Sequence, residues 1–200
     1  MKIIKYLLIF CLLLTNSFTV LEKDLKIISR KEWGAKDPIK EMILHNPTKI
    51  TIHHSGIKNN YKSNLIEKMK ALQKYSQSAE KMDTGKIKEI WGDVPYHYII
   101  STTGEIAEGR EIKYSGDTNT EYNPKNHILI DVLGNFDLEE PTKQQIKSLE
   151  ELCFYLHKKY NIPLADIKTH NFYAKTNCPG ENLIKFMPKL LEELEINDKK

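Results

Sequence analysis

The stretch from His127 to Leu133 reads His-Ile-Leu-Ile-Asp-Val-Leu, a nearly continuous apolar run of strand length interrupted by Asp131. A strand with one solvated face alternates apolar and polar residues, whereas one that is apolar toward both sides has to be covered on both. The run therefore commits the chain to a layered fold with a strand in the middle of a covered sheet. Asp131 has no explanation at this level.

The covering elements can be read around it. From Ser63 to Met82 the residues Leu65, Ile66, Met69, Leu72 and Tyr75 recur at helical spacing, and Asp83-Thr84-Gly85 breaks the pattern. Thr142 with Gln145 forms a capping-box pair behind Pro141, and the helix that follows should run to about Tyr160, ahead of Asn161-Ile162-Pro163. A last helix is expected after Pro179-Gly180, carrying Leu183, Ile184, Phe186, Leu190 and Leu191, with a kink at Pro188. Two further strand signals lie upstream. Ile50 and Ile52 alternate with Thr51 and His53, so His53 should point away from the isoleucines. Val94 to Ile100 and Glu105 to Glu108 flank Thr103-Gly104 and read as a hairpin. The expected class is α/β, a single domain with a central mixed β-sheet covered by helices and a groove at the sheet.

Two hundred residues, 40% of them hydrophobic, are enough for one proper core. The first residues depart from the rest: Lys2 and Lys5 precede the apolar run Tyr6 to Leu14, and Thr15 to Thr19 lead to the charged Glu22, Lys23 and Asp24. The apolar run is shorter than the roughly 20 residues of a membrane span, so residues 1–19 read as a secretory leader and 20–200 as the mature domain. Contact with a membrane follows only if the leader stays uncleaved. Cys11 lies within the apolar stretch behind the bulky Phe10, which argues against lipidation. Export to the periplasm or the extracellular space is expected. Losing Lys2 and Lys5 takes the formal net charge from +3 to +1, which implies no nucleic-acid partner.

After cleavage two cysteines remain, Cys153 and Cys178, and an oxidising compartment makes a disulfide between them one option. Cys153 falls in the apolar stripe of Ile146, Leu149, Leu152 and Leu156, where a free cysteine behaves as a small buried hydrophobe. Cys178 has a different neighbourhood. It lies within reach of His170, across a polar loop holding Asn171, Lys175, Thr176 and Asn177, and the pair His53-His54 lies upstream. Two neutral imidazoles and one thiolate suit a tetrahedral zinc with its fourth position open, which is the pattern of a catalytic rather than a structural ion. Such an ion makes a bound water acidic, with a pKa near about 7, and polarises a carbonyl under attack, so the implied reaction is hydrolysis. Taken singly, His53 reads more readily as a structural histidine than as a ligand, and His54 as a residue that packs or supports the site from behind.

Six blocks in order resemble the motifs of the peptidoglycan recognition protein and phage lysozyme-type N-acetylmuramoyl-L-alanine amidase family. They are Ile28 to Ala35, Thr51 to Ser55, Val94 to Ile100, Gly104 to Arg110, Tyr122-Asn123 and His170 to Gly180. The resemblance implies a zinc enzyme that cuts the bond between the lactyl group of muramic acid and the first alanine of the stem peptide. It places the zinc on His53, His170 and Cys178. It also implies that Tyr96 and Thr176 stabilise the charge that develops on the carbonyl oxygen, and that members lacking the cysteine bind peptidoglycan without cutting it. Peptidoglycan or its muropeptide fragments are the expected partner of a monomeric protein.

The chain departs from the family pattern in its groove. Ser115-Gly116-Asp117-Thr118 stands where the family commonly has a Gly-x-His stretch, so Asp117 takes the place of a groove histidine. With His54, Tyr122 and Asn123 it is expected to line the substrate groove, although Tyr122-Asn123-Pro124 reads equally as a turn. Trp33 is expected to pack, and Trp91 to lie in the core or on the rim. The segment from Ser76 to Ile90 looks longer than its counterpart in the family. Two other readings stay open beside the amidase: a peptidoglycan-binding module without turnover, and a metallopeptidase acting within the stem peptide.

Overall fold

The computed structural model describes residues 25–59, 64–81, 85 and 87–199, so the leader read from residues 1–19 lies outside it. In chain order the elements are β1 (Ile27–Ile28), α1 (Arg30–Trp33), β2 (Lys49–His54), α2 (Leu65–Ser76), β3 (Tyr98–Ile100) and β4 (Ile106–Glu108). They continue with β5 (His127–Val132), α3 (Lys143–Tyr160), β6 (Ile167–Thr169), α4 (His170–Tyr173), α5 (Glu181–Ile184) and α6 (Met187–Asp198). The strands form one mixed sheet in the order β1-β4-β3-β5-β2-β6, in which only β3 and β4 pair antiparallel. The apolar run indeed forms the interior strand β5, parallel to both β2 and β3.

Alternation along the strands divides the sheet into two faces. Ile50 and Ile52 of β2 and Ile128, Ile130 and Val132 of β5 turn toward one side, where they meet Leu149, Leu152, Cys153 and Leu156 of α3 and Leu190 and Leu194 of α6. A smaller cluster of Trp33, Leu65, Met69, Val94, Ile99 and Ala107 covers part of the other side. Burying a Leu or Ile side chain contributes about 1.5–3 kcal/mol, so the α3 side carries most of the stability. Cys153 is fully buried in that cluster, and both Cys153 and Cys178 are free thiols.

Three helices start on reciprocal capping boxes: Ser29 with Glu32, Asn64 with Glu67, and the expected Thr142 with Gln145. The α3 helix stops at Asn161, whose left-handed backbone (φ 53°) lets its N–H reach the His157 carbonyl. Gly104 turns the β3–β4 hairpin with φ 83°, and a Cβ there would lie 2.8 Å from Ser148 Oγ.

Several boundaries differ from the sequence reading. The first strand of the hairpin begins at Tyr98, because Pro95 has no N–H to offer and the Pro95, Tyr96 and His97 carbonyls accept from Asp117, Arg110 and Gly109 instead. The α2 helix ends at Ser76, whose hydroxyl bonds back to the Leu72 carbonyl, and Gln77 caps it. The C-terminal segment is two helices, not one kinked helix. Pro188 sits in the first turn of α6, where its missing N–H costs nothing. Among the described residues no helix is long and apolar enough to cross a membrane.

Candidate metal centre

Register explains how distant residues meet. The β2–β6 pairing sets Ile52 beside Thr169, so the next residues in each strand direction, His53 and His170, leave the sheet as neighbours. Their ring centroids are 4.3 Å apart. The chain then makes one turn of helix α4 and loops back: the Asn171 N–H donates to the Cys178 carbonyl (2.9 Å), and the Cys178 N–H donates to Thr176 Oγ1 (3.2 Å). Gly180 permits this return, since with φ 88° a Cβ would fall 2.5 Å from the Phe136 backbone. The Cys178 sulfur ends 3.3 Å from the His54 N–H and 3.8 Å from His53 Nδ1.

One ligand atom from each of His53, His170 and Cys178 lies within 4.8 Å of the other two. Ligand atoms round a tetrahedral zinc stand roughly 3.3–3.6 Å apart given its bond lengths, so only a small contraction would be needed to close on an ion. The protonation states fit as well. Burial, with smaller contributions from neighbouring histidines, depresses His53 well below the ordinary imidazole range and His170 to about 4, so both rings are neutral. Burial pushes the Cys178 thiol up to about 12 against the pull of the His54 N–H, so a thiolate there calls for a cation. The buried Nδ1 of His170 has no hydrogen-bond partner among the described residues. A buried polar atom left without one costs about 1–3 kcal/mol, and a metal bond would satisfy it.

The far nitrogens of the two rings are occupied. His170 Nε2 lies 2.8 Å from Thr120 Oγ1, and His53 Nε2 lies 3.3 Å from the Tyr122 hydroxyl. Tyr96 stands with its ring centroid 5.3 Å from that of His53, and burial together with Asp131 and Cys178 holds its phenol protonated far above neutral pH. Tyr96 is thus a hydrogen-bond donor. Thr176 accepts from Cys178 with one lone pair, which leaves its O–H free to donate. It lines a cleft of about 720 Å³ with Asp137, Asn171, Asn177, Glu181 and Lys185.

The four residues expected along the groove have diverse placements. Tyr122 joins the metal cluster. The Asp117 carboxylate is paired with the buried Arg110 guanidinium, which also donates to the Val94 and Asp93 carbonyls. Asn123 Oδ1 accepts from the Lys125 N–H (3.0 Å), closing its own turn. His54 faces the isoleucine side of the sheet, where its Nδ1 accepts from the Phe136 N–H (3.2 Å). This is a consequence of strand alternation: the partner of an inward His53 has to point the other way.

Asp131, unexplained in the sequence, pairs in register with His53 and occupies the same face. It is buried, its Oδ1 has no partner among the described residues, and desolvation lifts it to about 7. A charged residue in an otherwise apolar central strand was the available signal. Thr120 and His127 gave none, being an ordinary loop threonine and a strand-end histidine.

Residues 44–181 match the family described as N-acetylmuramoyl-L-alanine amidase. The chain is 30% identical over 162 residues to peptidoglycan-recognition protein SC2 of Drosophila melanogaster, covering 78% of this chain and 82% of that protein. Two solved structures share the fold. Drosophila peptidoglycan recognition protein SD superposes with a TM-score of 0.67 at 24% identity over 80% of this chain and 90% of that one. The N-acetylmuramoyl-L-alanine amidase LysC of Clostridium intestinale superposes with 0.59 at 28% identity over 82% and 97%. The chain belongs to this amidase family, which the peptidoglycan recognition proteins share.

Proposed function

We propose that this protein is an exported zinc-dependent amidase that hydrolyses the bond between N-acetylmuramic acid and L-alanine in bacterial peptidoglycan or its muropeptide fragments. The observation that carries this reading is the convergence of His53, His170 and Cys178, two neutral imidazoles and a half-buried thiol, with the Nδ1 of His170 unpartnered among the described residues. A zinc ion held there would act as a Lewis acid and as the source of a nucleophilic water at neutral pH.

The chain's own residues supply the rest. Tyr96, a permanently protonated phenol beside His53, donates a hydrogen bond to the carbonyl oxygen as negative charge builds on it. Thr176, two residues before Cys178, contributes a second donor without charge. The adjoining cleft, with Asp137, Asn171, Asn177 and Lys185 at its walls, offers polar groups of both signs to an amphoteric stem peptide. Cys178 is what favours turnover over simple binding, because two histidines alone leave the ligand set incomplete.

The reading is tested on purified sacculi with mass analysis of the products. Release of stem peptides that begin with a free alanine amine, lost on chelation and restored by zinc, is the expected result. Products cut within the stem peptide would identify a metallopeptidase instead. Intact sacculi after treatment with the folded, zinc-loaded protein would leave a binding module.

A further inference from the structure

We propose that Thr120 and Tyr122 are positioning residues that orient the two ligand histidines, making the segment Asp117–Asn123 a clamp on the metal centre. The inference rests on the zinc reading above and extends it to the hydrogen bonds behind the ligands. A histidine that binds a metal through one nitrogen donates the N–H of the other to a fixed partner, which sets both tautomer and ring angle. The geometry here assigns each nitrogen. His170 Nδ1 is buried and without a partner among the described residues, so it is the atom left for a cation, and Nε2 carries the hydrogen. Thr120 Oγ1, at 2.8 Å, accepts it. The Thr120 hydroxyl shares a further hydrogen bond with Thr118 Oγ1 (2.8 Å), which also accepts the Thr120 N–H (3.1 Å).

His53 follows the same pattern. Its Nδ1 faces the Cys178 sulfur, and its Nε2 faces the Tyr122 hydroxyl. Aromatic neighbours brace Tyr122 in that position. Its ring stacks on Tyr173 at 5.8 Å and meets the edge of His127, which is held by Thr51 Oγ1 at 2.7 Å. The segment has no helix or strand of its own, and its start is tied down by the pairing of Asp117 with buried Arg110.

The test is zinc affinity, measured without substrate by competition with a chelator, together with the absorption spectrum of the cobalt-substituted protein. Thr120→Val keeps the shape and removes the acceptor, and should weaken zinc binding by about 10–100-fold, while Thr120→Ser restores it. Tyr122→Phe should weaken binding less, since its bond is longer, and should shift the cobalt spectrum. Folded Thr120→Val and Tyr122→Phe proteins with wild-type affinity and unshifted spectra would overturn the proposal. Should Thr120→Val fail to fold, Tyr122→Phe and Thr120→Ser decide it: unchanged affinity and spectrum in Tyr122→Phe, or weakened affinity in Thr120→Ser, overturns it. A wild type that binds zinc but leaves sacculi intact removes the amidase reading alone; unchanged affinity in the variants removes the clamp alone.

Discussion

The two faces of the sheet are built by the same strands and have opposite characters. On the α3 side, Ile50, Ile52, Ile128, Ile130 and Val132 are fully buried among leucines. On the other, the β2 and β5 residues Thr51, His53, His127 and Asp131 are buried as well but polar, with Leu129 as the exception in those two strands, while Ile99 and Ala107 keep the neighbouring β3 and β4 apolar. Adjacent residues in one strand therefore have different surroundings, His53 at the candidate metal centre and His54 against Phe136. Burying polar groups is costly unless each finds a partner, and among the described residues two buried side-chain atoms, Asp131 Oδ1 and His170 Nδ1, have none. Stability is concentrated on one face, which frees the other to hold groups that a core would reject.

Substitutions on the two faces should separate cleanly. The largest effect is expected from Cys178→Ser, which should abolish sacculus hydrolysis and tight zinc binding while leaving the apo fold intact; full zinc occupancy by elemental analysis would break the ligand assignment. Tyr96→Phe should lower kcat by about 10²–10³-fold with zinc content unchanged, as the loss of one donor to a developing oxyanion does. On the opposite face Leu152→Ala should cost about 2–5 kcal/mol in urea unfolding, with activity per folded molecule unaltered. Reduced turnover in a folded Leu152→Ala protein would show that the faces are coupled.

A smaller, graded effect comes from pH. His97 is buried, with Nε2–H donating to the Tyr114 carbonyl and Nδ1 accepting from the Leu129 N–H, and it stacks on His45, which is held the same way by Ile112 and Asn126. Burial lowers His97 to about 3, and it lowers His45 as well. Both are neutral in the folded protein and become charged more readily when it unfolds. Their stabilisation is therefore complete above the unfolded pKa of about 6.5 and is lost as pH falls below it, at about 1.4 kcal/mol per pH unit for His97. Unfolding midpoints between pH 7 and 4 should show this slope, and His97→Gln should flatten it.

The sequence was most legible where one short-range rule applied. Period-two alternation put His53 opposite the isoleucines, the Thr142–Gln145 box marked the start of α3, and the apolar run located β5, all as found. Ordered motifs also pointed to the family. The sequence was less legible where two rules competed: Pro188 fits a kink or a first turn, and with α6 starting at Met187 it takes the latter. What the sequence did not reveal in the expected groove is the partner of each residue: Arg110 pairs with Asp117, the Lys125 N–H with Asn123 and the Phe136 N–H with His54.

Taken alone, the order of residues determined the layered class, the strand faces and the chemical types of the three candidate ligands, because these follow from periodicity and from donor chemistry that each residue carries with it. Tertiary structure alone decided which way each nitrogen of the two histidines faces, that Thr120 and Tyr122 stand behind them, and that Asp131 lies beside His53. Those relations depend on register between strands far apart in the chain, and on a loop whose position is set by Arg110 rather than by any pattern of its own.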